Sequence, residues 1–325
     1  MQVEFCRILR KLGFPEPKAE KCAEIFTVNS LEGVYSHGVN RFAAFVGYIQ
    51  AGHIQPDAVP TFVHRAGALE QWNGNLGPGP LNAVFATDRA MALARENGIG
   101  LVALANTNHW MRAGTYGWQA ARQGFALICW TNTCGNMPAW GATDPRLGNN
   151  PLVLAVPYKN EAIVLDCAMS QFSYGKMDAF QRAGQPLPFP GGFDRHGALT
   201  ANPGEIIASR RALPIGYWKG AGLSLLLDIM AAMLSGGLAT HAISRRQAEY
   251  GLSQVFIAIN IGGLPRFSAI GNTLHQIIED LHQSIPENAK AKIRYPGENI
   301  VQTRQANLKN GIPVNREIWD KILSL

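Results

Sequence analysis

The chain has 325 residues, 47% of them hydrophobic and 16% charged, which excludes a disordered protein and leaves room for one elaborated domain or two. Its net charge is +6 and its pI about 9.1, but the lysines and arginines are dispersed, with no basic run longer than a pair such as Arg210-Arg211 or Arg245-Arg246. That pattern disfavours nucleic-acid binding and suits an acidic metabolite or a phosphate-bearing cofactor.

Apolar residues spaced near the helical period predict two short helices between residue 2 and about residue 30, separated at Gly13-Phe14-Pro15. A third is expected to begin near Ser36 or Asn40, with Phe42, Phe45, Val46 and Ile49 on its apolar face, and to end at Gly52. Short alternating segments follow from about Ala58, and the turn-rich Gly74 to Pro80 leads into a helix reaching about Asn97. These glycines do not form a GxGxxG after a strand, so no Rossmann fingerprint is present.

Strands of the buried type are predicted over Gly100–Ala105, Phe125–Trp130, Pro151–Pro157, Ala162–Asp166 and Val255–Ile261, with a helix over Thr115–Gln123. Pro186 to Pro203 reads as a long loop. Gly216-Tyr217-Trp218-Lys219-Gly220-Ala221-Gly222 then enters a helix over Leu223–Leu234. Its glycines and lysine fit either an anion seat at a helix N-terminus or a close helix-packing turn. An amphipathic helix over Asn272–His282 and two helices around Gly311-Ile312-Pro313 complete the chain.

The class expected is α/β, without an orderly parallel βαβ series. The apolar run Ala221 to Ala239 is broken by Asp228 and Gly236-Gly237, which predicts a buried helix rather than a membrane span. Five cysteines without a CxxC argue against a disulfide framework or a zinc site, and no signal-peptide core follows Glu4, Arg7, Arg10 and Lys11. A cytoplasmic protein with no membrane partner is expected.

Two stretches concentrate reactive groups. Val34 to Phe42 (VYSHGVNRF) holds a hydroxyl, an imidazole and a guanidinium, able to orient a proton donor, deliver a proton and grip an anion. Gly38 would leave the backbone bare for a substrate, and a helix carrying both His37 and Arg41 would put them on one face. A capped helix start with surface polar groups explains the same string. The second stretch, Asn106 to Arg112, ends a predicted strand with His109 and Arg112, where ligand-binding groups commonly sit. For His109 a hydrogen-bonded core histidine is the plainer reading.

Taken together, SHGVNR at Ser36, GIGLVALANTNHW ending at Trp110, NNPLVLAVP at Asn149, GYWKGAGLSLLLD at Gly216 and PGE at Pro296 resemble the type-2 malate/lactate dehydrogenase family over essentially the whole chain. These are NAD(P)-dependent reductases of 2-oxo acids with a fold unrelated to the Rossmann one. The resemblance implies a non-Rossmann α/β cofactor domain, residues 76–283, beside a helical dimerisation part built from residues 1–75 and 284–325. It implies a homodimer, and NADH or NADPH held by Ala162, Ile163, Val164, Leu165, Asp166, Cys167 and Ala168, by Trp218 and Lys219, and by Gly297, Glu298 and Asn299. This last segment lacks a His found between the glycine and the acidic residue in the family's sugar-acid branch. The strings EGVYSHGVNRF, NHWMRAGTYGWQAA and LPIGYWKG are otherwise nearest to that branch, which implies a 2,3-dioxo sugar acid as substrate.

Reduction of a 2-oxo acid needs a proton for the developing alkoxide and a cation for the carboxylate. His37, with an ordinary pKa of about 6.5, would supply the proton, and Arg41 would clamp the carboxylate. Ser36 would orient the imidazole or contact substrate, His109 would polarise the carbonyl or bind a hydroxyl, and Arg112 would recognise a polyol or second oxo group. Malate, lactate or sulfolactate dehydrogenase and cyclic-imine reductase are the alternatives within the family. A hydrolase using Ser36, His37 and Asp178 or Asp194 is disfavoured, because a nucleophile adjacent in sequence to its base rarely points at it and no GxSxG elbow is present.

Overall fold

The computed structural model describes residues 1–265 and 267–325. Helices α1 (Gln2–Lys11), α2 (Glu16–Leu31) and α3 (Val39–Gln50) precede strands β1 (Thr61–Ala66) and β2 (Leu69–Asn73). Next come α4 (Gly79–Asn97), β3 (Ile99–Thr107), α5 (Gly114–Ala121), β4 (Ala126–Thr131), β5 (Met137–Pro138), β6 (Pro145–Leu147), β7 (Leu152–Tyr158) and β8 (Glu161–Cys167). The chain continues through α6 (Tyr174–Arg182), β9 (Gly192–Phe193), β10 (Leu199–Thr200), α7 (Pro203–Ser209), α8 (Trp218–Ser235), α9 (Thr240–Ile243) and β11 (Leu252–Ile259). Helices α10 (Phe267–His282), α11 (Glu298–Asn310) and α12 (Arg316–Leu323) end it.

Seven strands form one sheet in the order β1-β2-β3-β11-β4-β7-β8, parallel only between β2 and β3. Side chains alternate across a strand, so one strand can feed two cores. On β11, Phe256 and Ala258 join the core shared with α4 and α5, whereas Val255 joins Trp130, Leu227 and Ala231 under α8. Burial on both faces is why these strands read as unbroken apolar runs rather than alternating ones.

A separate core unites the two ends of the chain. Phe5 stacks on Phe42 at 4.0 Å between ring centroids, Phe26 meets Phe42 edge-on, and Trp319 and Ile322 of α12 close the cluster. Strands β1 and β2 lie before residue 75 but pair into the central sheet, so the helical part ends ahead of Thr61.

Several expectations need correction. The third helix starts at Val39; His37 belongs instead to a separate 3-10 turn, Tyr35–His37, and does not share a helix with Arg41. The stretch read as a long loop contains the β9–β10 hairpin. Helix α8 begins five residues early, at Trp218, and only its Ala221, Ser224, Leu227, Ala231 side is buried. Its opposite side exposes Leu225, Leu226, Ile229, Met230 and Met233, so it is not the buried helix that the apolar run suggested. Among the described residues α8 alone is long and apolar enough to cross a membrane, and it lies along the sheet.

Candidate active site

The end of α2 builds the site. Its buried Asn29 donates from Nδ2 to the carbonyl of His37 at 3.0 Å, while Thr115 Oγ1 of α5 donates to Asn29 Oδ1 at 2.9 Å. The next residue, Ser30, donates to Phe26 O and accepts the N–H of Val39, both at 2.8 Å, satisfying the first turn of α3. Between those anchors Gly38 passes so close to α2 that a Cβ would come to 2.3 Å from Ser30 Oγ. Its bareness therefore serves the approach to α2 rather than to a substrate. Asn29 and Ser30 escaped the sequence reading because a polar pair inside a helix resembles a solvated face.

On this base the His37 Nδ1 lies 3.0 Å from Ser36 Oγ, in mutual hydrogen-bond contact, which leaves Nε2 as the outward nitrogen. The imidazole stacks on that of His109, with centroids 5.7 Å apart and planes 14° from parallel. Burial lowers His37 to about 4, with the charges of Arg41 and Arg112 adding to the effect. An isolated His37 at pH 7 is therefore neutral, unlike the half-protonated group its ordinary pKa suggested.

His109 is also held well below its ordinary pKa, by burial first and then by Arg41 and His37. Its Nδ1 accepts the N–H of Met111 at 3.0 Å, so the neutral ring carries its hydrogen on Nε2. Met111 makes this bond from a left-handed backbone, φ 65°, a conformation that costs a non-glycine residue free energy and recurs at functional sites. Arg41, half-buried on α3, lines a small recess together with His109, Tyr48, Asn108 and Glu249.

Arg112 is placed differently from its expected role. It is buried, and its guanidinium is paired with the buried carboxylate of Glu32. Arg304 of α11 donates to the same carboxylate at 2.9 Å and to Glu161 of β8 at 2.8 Å. Arg112 adds to the field around His37 and ties its loop to the end of α2, while Arg304 ties α2 to α11 and β8. The Arg112 Nη1 is the nitrogen committed to Glu32.

The three segments expected to hold a cofactor adjoin one another. Strand β8 is the sheet edge, and its Val164 N–H donates to Pro296 O at 3.1 Å, bringing Gly297 alongside. The turn before α8 is tied on by Ile215 N–H to Met169 O at 2.9 Å. Ala162 and Val164 point into the core, leaving Ile163, Leu165, Asp166, Cys167 and Ala168 at least partly accessible. Asp166 Oδ2 accepts the N–H of Gly114 at 2.7 Å, joining this edge to the loop that carries His109.

Trp218 and Lys219 are exposed, but the N–H groups of Lys219 and Gly220 are already bonded to Gly216 O and Ile215 O. A Cβ on Gly220 would lie 2.3 Å from Ile215 O, so Gly220 serves a close packing turn. Glu298 turns back to accept Tyr295 N–H at 3.1 Å and faces His282 Nε2 at 3.3 Å, while Asn299 is exposed.

Against a hydrolase, the adjacency argument fails, because Ser36 does touch His37. The acids decide it. Asp178 pairs with Arg182, and exposed Asp194 accepts backbone N–H groups of His196 and Ala198.

A mixed sheet without a dinucleotide fingerprint, a stacked histidine pair beside an arginine, and a strand edge leading to it define an oxidoreductase of non-Rossmann type. A profile of the malate/L-lactate dehydrogenase family matches residues 1–323, and the chain belongs to that family. It is 44% identical to the 2,3-diketo-L-gulonate reductases of Salmonella newport and Salmonella typhimurium over 322 residues, covering 99% of this chain and 97% of each of them. The fold matches the malate dehydrogenase of Pyrococcus horikoshii with a TM-score of 0.88 at 27% identity, covering 98% of this chain and 91% of that one. Sulfolactate dehydrogenase from Methanocaldococcus jannaschii gives 0.88 at 26% identity, with coverages of 100% and 96%.

Proposed function

We propose that this protein reduces 2,3-diketo-L-gulonate to 3-keto-L-gulonate, taking hydride from a nicotinamide cofactor and a proton from His37. The supporting observation is the stacked pair: a tautomer-fixed donor, His109 Nε2–H, and a second imidazole nitrogen, His37 Nε2, beside the Arg41 cation. The names of the 44%-identical relatives supply the substrate.

In this reading Arg41 grips the carboxylate of the 2-oxo acid with parallel hydrogen bonds, which fixes the neighbouring carbonyl. His109 Nε2–H donates to the carbonyl oxygen. A nicotinamide held by the cofactor strip would supply hydride chemistry at the carbonyl carbon. As the carbonyl π pair moves onto oxygen, the proton on His37 Nε2 passes to it, and Ser36 holds the ring from Nδ1. A carboxylate on Arg41 offsets one of the charges that depress His37, so the proton is taken up with the substrate.

The cofactor strip offers apolar flanks at Ile163 and Leu165, a carboxylate at Asp166, and the Trp218 indole with the Lys219 ammonium 5.9 Å over its ring. Those groups suit rings, ribose hydroxyls and phosphate respectively, and NADH is proposed ahead of NADPH. We further propose a cytoplasmic homodimer in which a second copy covers the exposed apolar side of α8. Following NADH and NADPH oxidation across a panel of 2-oxo and 2,3-dioxo acids tests the reading. Turnover fastest with 2,3-diketo-L-gulonate supports it; no cofactor oxidation with any 2-oxo acid overturns it.

A further inference from the structure

The recess beside Arg41 is not needed to hold a carboxylate and a carbonyl. Its volume is about 10 Å³, room for about one water molecule or one hydroxyl group. Phe45, Ile54 and Met111 contribute apolar walls, and its polar lining mixes donors, from Arg41, Tyr48 and His109, with acceptors, from Glu249 and Asn108. Glu249 brings a carboxylate that forms no ion pair among the described residues and accepts the N–H of Cys134 at 3.0 Å. Asn108 is buried, and its Oδ1 has no hydrogen-bond donor among the described residues. An orphaned buried acceptor is destabilising unless something donates to it.

Glu249 is held in place from two sides. Its N–H donates to Tyr48 Oη at 3.3 Å, and the next residue, Tyr250, stacks on His53 with centroids 4.5 Å apart. Burial and the Glu249 charge push the Tyr48 phenol up, so it keeps its proton as a donor. A group entering here meets acceptors on Glu249 and Asn108, the phenolic donor of Tyr48, the His109 imidazole and the guanidinium of Arg41.

A hydroxyl satisfies that set, since it both donates and accepts. A second carboxylate does not, because it would desolvate against Glu249. We propose that this recess, with Glu249 as its determinant, is the subsite for a hydroxyl of a polyhydroxy 2-oxo acid, and that the Glu249 charge excludes dicarboxylate substrates. Specificity then comes from a repulsive element as much as from an attractive one. The inference rests on the 2-oxo acid reductase reading and assigns to Glu249 the recognition that the sequence had suggested for Arg112.

The test compares kcat/KM for 2,3-diketo-L-gulonate, oxaloacetate and pyruvate in wild type, Glu249→Gln and Tyr48→Phe, with NADH saturating. In Glu249→Gln the diketogulonate-to-pyruvate ratio is expected to fall about five-fold or more, and the oxaloacetate-to-pyruvate ratio to rise about ten-fold. Tyr48→Phe, which removes one hydroxyl group from the recess, is expected to lower the first ratio several-fold. These are ratios within one variant, so a general loss of folding or packing leaves them unmoved. Ratios within two-fold of wild type in both variants would overturn the inference while the reductase reading stands. A wild type that reduces none of the three acids overturns both.

Discussion

In the proposed reduction, protonated His37 is the scarce species at pH 7. Burial, Arg41 and Arg112 hold the ring at about 4, so about one molecule in a thousand carries the proton, against about one in four at the ordinary 6.5. That deficit amounts to about 3 kcal/mol in the free enzyme. The perturbation is pH itself, varied from about 5 to about 9, and the assay is kcat/KM for the 2-oxo acid with NADH saturating, which reports the free enzyme's ionisations. Reduction is expected to fall about ten-fold per pH unit across the whole range, with no plateau until pH nears the depressed value. Oxidation of the 2-hydroxy acid is expected to stay flat over the same range, because the neutral imidazole is already the base. A reductive plateau that breaks near pH 6.5 would refute the half-buried, cation-flanked His37. A flat profile in both directions would remove His37 from proton transfer.

Three further outcomes follow from the same geometry. Because the folded pKa of His37 lies below the unfolded one, the unfolded chain binds more protons between about 4 and 6.5; stability is full above that window and is lost as pH falls through it. Unfolding free energies from urea titrations at pH 7 and pH 4.5 are expected to differ by on the order of 2 kcal/mol from this group, and the difference should shrink in His37→Asn. Arg112→Met leaves buried Glu32 with Arg304 as its remaining cation among the described residues and is expected to cost about 3 kcal/mol in urea unfolding. A cost under about 1 kcal/mol would mean the pair is not buried as described. Met233→Glu, on the exposed side of α8, is expected to turn a sedimenting dimer into a monomer; a wild type that sediments as a monomer at micromolar concentration would refute that interface.

What could be read from the sequence follows from how far each determinant reaches along the chain. Strands β3, β4, β7, β8 and β11 were visible because each is a short apolar run, and α1 and α3 because one face alone is apolar. The place of β11 between β3 and β4 was not, since it depends on pairing Val255 with Ala103 and Trp130, more than a hundred residues away. The helix start at Val39 depends on Ser30 Oγ, which no local pattern announces. Arg112 looked like a ligand group because its partner Glu32 lies 80 residues earlier. Glycines mislead most easily: Gly38 and Gly220 suggested ligand approach, and both are bare because backbone packs against them.

The central claim is that His37 delivers the proton. The most direct measurement is steady-state turnover of His37→Asn with NADH and 2,3-diketo-L-gulonate, with NADH binding followed separately by fluorescence. Turnover lowered by about a hundred-fold or more, with NADH binding close to wild type, is the expected result. Turnover within a few-fold of wild type would contradict it.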